Sequence, residues 1–176
     1  MKKIKSKKGF TVVEMLACIV TLLLIGLIVT TGMNLATMSM RETNFESNSQ
    51  MLEETLNMYI GDILRYAIEV EEKEDGIQFT NDTYYIDDGM FIIDESVCDE
   101  IAGAGYLMCT SELDDEDAKG TLVANQGLYA GNLFIKDFVL TYDAQTGVFC
   151  GNYVIVSTAT ETTKLCEFTY RTIAAR

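Results

Sequence analysis

The residues best placed to do chemistry stand at the start of the chain. Lys7-Lys8-Gly9-Phe10-Thr11-Val12-Val13-Glu14 joins a basic segment to an apolar run, with one small residue, Gly9, at the junction. The chemistry this invites is peptide-bond cleavage by another protein. An ordinary secretory signal peptide carries its cleavage site after the apolar region, which is then lost. Here the small residue comes first. A cut between Gly9 and Phe10 would shed the lysines and leave the apolar segment on the mature chain. Glu14 is the one charge inside that segment. A carboxylate at membrane depth is costly and normally has a partner. Cleavage would create one, the new amino group of Phe10, about one helical turn away. The plainer reading is a carboxylate that reaches the lipid headgroups.

The other candidates are weaker. Cys18 lies in the apolar run, whereas Cys98, Cys109, Cys150 and Cys166 lie in the polar part. Four cysteines outside a membrane fit two disulfides in an oxidising compartment, with three possible connectivities. Cys98–Cys109 and Cys150–Cys166 would each close a short loop; the alternative is that the thiols are reduced, small apolar residues. The acidic run Asp114-Asp115-Glu116-Asp117 offers a weak calcium set in Asp114, Asp115 and Asp117. Its spacing matches no defined calcium loop, and such runs are usually solvated. The chain has no His, which removes the commonest general base and metal ligand. No phosphate-binding glycine loop and no nucleophile–base set is visible. The reading is therefore of a non-enzyme without a cofactor.

These residues need elements to hold them. Phe10–Gly32 as a helix would reach about 34 Å, enough for a hydrocarbon core of about 30 Å. Five of the 13 Lys and Arg fall within the first eight residues. Flanking lysines hold that end in the cytoplasm and send the remainder outside. Beyond the leader, 27 acids outnumber eight cations, which disfavours a broad nucleic-acid-binding face. Leu52, Leu56, Tyr59, Ile60, Ile63, Ala67 and Ile68 recur at steps of three and four, one stripe of a helix extending to about Glu72. Glu53, Asn57, Asp62, Arg65 and Glu69 fall on the opposite face.

After Gly76 the pattern changes to short strands at Ile77–Thr80, Thr83–Asp87 and Met90–Asp94, with turns at Asn81-Asp82 and Asp88-Gly89. Cys98 to Asn132 reads as loop with one strand near Thr121–Ala124. Leu133–Tyr142, Val148–Thr158 and Lys164–Ile173 close the chain as an antiparallel group around a turn at 143–147. The expected class is α+β, in three segments: a leader over 1–9, a helix over 10–72 whose first part (10–32) is transmembrane, and a β-rich globular domain over 73–176.

The N-terminal segment resembles the prepilin leader of type IV pilins and of the pseudopilins of secretion and DNA-uptake systems. The likeness rests on the basic leader ending in Gly9, on Phe10 and Thr11, on Glu14, and on the apolar run that follows. It implies a pilin-like fold and a structural role: a subunit of a surface pilus, a DNA-uptake filament or a type II-like secretion pseudopilus. It implies cleavage after Gly9 by a prepilin peptidase, N-methylation of Phe10, and pairing of Glu14 with the Phe10 amine of a neighbouring subunit. The implied partners are other pilin or pseudopilin subunits, the peptidase, an inner-membrane assembly platform and membrane lipid. The implied place is the cytoplasmic membrane, then a cell-surface filament. The family often breaks its helix with proline; this chain has none, and Thr30-Thr31-Gly32 stands near that place. The alternative is a single-pass, membrane-anchored extracellular binding protein that never polymerises.

Overall fold

A computed structural model describes residues 11–74, 76–111, 120–160 and 162–173. It contains one long helix, α1 (Val12–Arg65), and eight strands: β1 (Ile68–Lys73), β2 (Gly76–Asn81), β3 (Ile86–Asp94), β4 (Ala104–Thr110), β5 (Thr121–Leu122), β6 (Leu133–Asp143), β7 (Val148–Ser157) and β8 (Thr163–Arg171). The class is α+β, with α1 packed against an antiparallel sheet. Strand order is β1-β2-β3-β4-β6-β7-β8, and β5 pairs with β4. The chain divides into two compact units, Met1–Glu42 and Thr43–Arg176. The second half of the helix thus belongs with the sheet.

In that second unit the stripe on α1 is the core-facing edge. Leu52, Leu56, Ile60, Ile63 and Leu64 are buried, and Phe45 and Ser49 extend the same face toward the N-terminus. They pack with Phe79, Leu107, Ile135, Phe149, Tyr153 and Ile155 from the strands. Each fully buried aliphatic or aromatic side chain contributes roughly 1.5–3 kcal/mol of transfer free energy. Gly61 lets the sheet come close: a Cβ there would stand 2.7 Å from Cε1 of Tyr170.

Polar groups then pin helix to sheet. The Tyr153 hydroxyl donates to Oδ1 of Asn57 at 3.1 Å, and the Tyr170 hydroxyl to the Asn57 carbonyl. Lys164 Nζ lies 2.6 Å from a Glu53 carboxylate oxygen. Glu53 and Asn57 therefore do not lie on a solvated back face, as periodicity alone suggests. They turn toward β7 and β8. Burial raises the Tyr153 hydroxyl pKa well above its ordinary value, so the phenol stays neutral and serves as a donor.

The helix stops at Arg65, short of Glu72, and Glu71 and Glu72 lie in β1. The cause is tertiary. Carbonyls of the last turn of a helix lack internal partners. Here the Ile63 carbonyl accepts from Nδ2 of Asn81 at 2.7 Å, Leu64 from the Ala67 N–H at 3.3 Å, and Arg65 from the Ile173 N–H at 2.7 Å. Sheet and helix end are built together.

Three other expectations change. Asp88-Gly89 is not a turn but lies inside β3, where the β2–β3 register shifts and Asp88 takes a positive φ of 50°. Residues 83–85, expected to begin a strand, form the turn instead. Cys98 to Asn132 is largely loop among its described residues, with β5 where one strand was expected, but it also holds an unexpected strand, β4, which pairs with β3, β5 and β6. The turn at 143–147 is present, with Gly147 at φ 65° and Oδ1 of Asp143 accepting the Gln145 N–H.

Candidate functional site

The N-terminal motif can be followed from Thr11 onward; Gly9 and Phe10 lie outside the described residues. Thr11 and Glu14 form a reciprocal cap at the start of α1. Oε2 of Glu14 accepts from both the N–H and the hydroxyl of Thr11, each at 2.9 Å, while Oγ1 of Thr11 accepts from the Glu14 N–H at 3.3 Å. This is a capping box, with Thr at the cap and Glu three residues on. The sequence carries its signature in Thr11-Val12-Val13-Glu14. Glu14 thus has a local task that the reading of its charge alone did not include.

The helix that follows is long and apolar enough to cross a membrane. Every residue from Val12 to Met40 is exposed, including Leu22, Leu23, Leu24, Leu27 and Ile28. Nothing within the described chain covers this surface. An all-apolar helix suits lipid or the packed helices of other molecules. Its hydroxyls are satisfied internally: Thr21, Thr30, Thr31 and Thr37 each donate to the carbonyl four residues before. That geometry lets threonine sit in hydrocarbon without an orphaned donor. The helix is unbroken at Thr30-Thr31-Gly32. Nothing lies within 4 Å of a Cβ built on Gly26 or Gly32, which leaves both places open to a neighbouring helix.

The cysteines do not form the expected disulfides; all five are free. Geometry gives the reason. On β7 and β8, Cys150 faces Thr169 while Cys166 faces Tyr153, so the two sit three residues apart along the ladder. Cys150 is exposed and Cys166 buried, on opposite faces. Cys98 packs with Ala104, and Cys109 is five residues further along β4, about 16 Å of strand. Disulfides need Cα atoms within about 7 Å. Cys98, Cys109 and Cys166 are buried as small apolar residues, and burial pushes Cys109 and Cys166 up to about 12. Asp114, Asp115 and Asp117 lie outside the described residues; among the described residues no cluster of His, Cys, Asp and Glu could hold a metal.

Two surface cavities in the second unit went unread in the sequence, because each gathers residues distant along the chain. One, of about 510 Å³, is floored by Ile101, Val154 and Val156 and edged by Glu100, Lys136 and Asp137. The other, of about 290 Å³, is lined by Tyr59, Tyr84 and Tyr85 above Ile63, Cys109 and Leu122.

No protein-family model matches this chain, and no curated protein and no solved structure gives a significant match.

Proposed function

We propose that the chain is a structural subunit, a minor pilin or pseudopilin, of a type IV filament system. One observation carries the reading. The series Gly9-Phe10-Thr11-Val12-Val13-Glu14 heads a membrane-length helix whose apolar surface meets nothing within the described chain. In this account the lysines keep the N-terminus cytoplasmic and the sheet domain lies outside. A prepilin peptidase removes residues 1–9 and methylates Phe10. The mature helix waits in the bilayer and then enters a helical polymer. There the apolar surface of residues 12–40 exchanges lipid for other subunits, and Glu14 pairs with the Phe10 amine of a neighbour. The chain performs no catalysis itself; the work of extraction belongs to a separate assembly machine.

The capping box supports this reading. Thr11 and Glu14 both remain after the cut, so the helix start is already fixed in the precursor. Only one of the Glu14 oxygens, Oε2, is engaged by Thr11. The other accepts no hydrogen bond from a described residue, and in this reading it takes the incoming amine.

A Gly9→Leu substitution tests the proposal. The chain should keep its lysines, remain in the membrane and stay out of sheared filaments. Normal maturation of that variant would remove the cleavage site from the account.

A further inference from the structure

The chain has nine tyrosines. Five of them, Tyr106, Tyr129, Tyr142, Tyr153 and Tyr170, pack against other rings. Tyr59, Tyr66, Tyr84 and Tyr85 do not, among the described residues. Three of those four converge on one cavity of about 290 Å³. Tyr59 comes from α1, and Tyr84 and Tyr85 come from the turn between β2 and β3. They are 43%, 46% and 89% exposed. None of their hydroxyls makes a hydrogen bond to a described residue. Three ring faces therefore stand together and unused.

The turn that presents them is firmly held. Asn81 is completely buried. Its Oδ1 accepts the N–H groups of Thr83 and Tyr84 at 2.9 and 3.1 Å, and its Nδ2 donates to α1 at the Ile63 carbonyl. Tyr85 follows at φ 55°. Aromatic residues on a fixed turn lose little freedom on binding, which favours recognition.

Charge selects the ligand. Asp82 precedes Tyr84 in the turn, Asp87 and Asp88 follow Ile86, and Asp62 lies one helical turn from Tyr59. Among the described residues, no Lys or Arg lines the cavity. Arg65, on the helix that carries Tyr59, is engaged by Asp62 and by the ring of Tyr170. The residues from 43 onward carry 25 acids against seven cations. A ring face attracts cations through its quadrupole, and surrounding carboxylates strengthen that attraction. We propose that the Tyr59–Tyr84–Tyr85 cleft is a docking site for a basic peptide segment of another protein, taking a lysine or arginine side chain between the rings.

The test uses the full chain in detergent micelles with its tyrosine rings isotope-labelled. The probe is a synthetic Gly/Ser peptide bearing three spaced lysines. Its comparators are the same peptide with norleucine in place of lysine, and a neutral oligosaccharide. The lysine peptide should shift the Tyr59, Tyr84 and Tyr85 ring signals saturably. Tyr85→Ala and Tyr59→Leu should each weaken binding about threefold or more, whereas Glu71→Gln with Glu72→Gln, on β1, should change it less than twofold. Because Tyr85 is almost wholly exposed, its loss does not threaten folding. Equal binding of the norleucine peptide would overturn the proposal, as would preference for the oligosaccharide. So would a lysine-peptide affinity that follows the β1 glutamates and ignores Tyr85, which would mean diffuse charge attraction only.

Discussion

Replacing Asn81 with alanine should destabilise the sheet domain more than any surface substitution. Asn81 is fully buried and makes three hydrogen bonds, two to its own turn and one to α1. The Thr83 and Tyr84 N–H groups are only partly buried, so water can replace the lost acceptor there at small cost. The Ile63 carbonyl is different. It lies in the last turn of α1, where no intrahelical donor remains, and Ile63 is itself buried. An orphaned buried acceptor costs about 1–3 kcal/mol, and each lost net bond about 1 kcal/mol. We expect a total near 3 kcal/mol for Asn81→Ala. With a urea slope of roughly 2 kcal/mol/M, the midpoint should fall by about 1.5 M. Urea titration of the full chain in micelles, followed by near-ultraviolet dichroism, reads this directly. Asn81→Asp should be no milder, since it keeps the turn acceptor but puts a carboxylate oxygen against the Ile63 carbonyl. A midpoint within about 0.3 M of the parent for Asn81→Ala would refute the view that this side chain joins turn to helix.

Three further predictions concern other places. Glu14→Gln keeps a capping-box partner for Thr11 but loses the charge, and Glu14→Ala loses both; filament incorporation should fail for both, and normal incorporation of the Gln variant would reduce Glu14 to a helix cap. Gly61→Ala gains helix propensity but drives a methyl against the Tyr170 ring, so we expect a net loss of about 1–2 kcal/mol in urea titration, and a stabilised variant would show that ring to be easily displaced. The folded thiols of Cys109 and Cys166 hold their protons to about 12, against an ordinary value of 9.0. Between those values the unfolded state binds fewer protons, so stability should fall as pH rises from about 9 toward 12; urea midpoints at pH 8 and pH 10.5 should show a smaller loss in Cys109→Ala with Cys166→Ala than in the parent.

The legible parts of the sequence were those governed by local rules. A 3.6-residue apolar period found the buried face of α1, and polar turns found β6, β7 and β8. Thr11 and Glu14 are three apart and cap one another, so their relation was present in the sequence as well. What failed had nonlocal causes. The end of α1 was read past Arg65, to about Glu72, because Ala67 and Ile68 continue the apolar stripe. In the fold, Asn81 and Ile173 take carbonyls of the last turn, and Glu71 and Glu72 lie in an edge strand. Strand β4 was hidden because it is buried on both faces along much of its length and starts Ala104-Gly105, which shows neither alternation nor β-branching. Asp88-Gly89 is among the strongest local hairpin signals, yet pairing with β2 and β4 holds it inside a strand. The tyrosine cleft joins α1 to a turn 25 residues later, so no window of sequence displays it.

The central claim is prepilin-type maturation, and the mass of the native N-terminal peptide tests it most directly. Prepilin-type maturation should yield a chain that begins at Phe10 and carries one added methyl group on its amine. A chain that begins at Met1, isolated from cells whose prepilin peptidase is active, would contradict it.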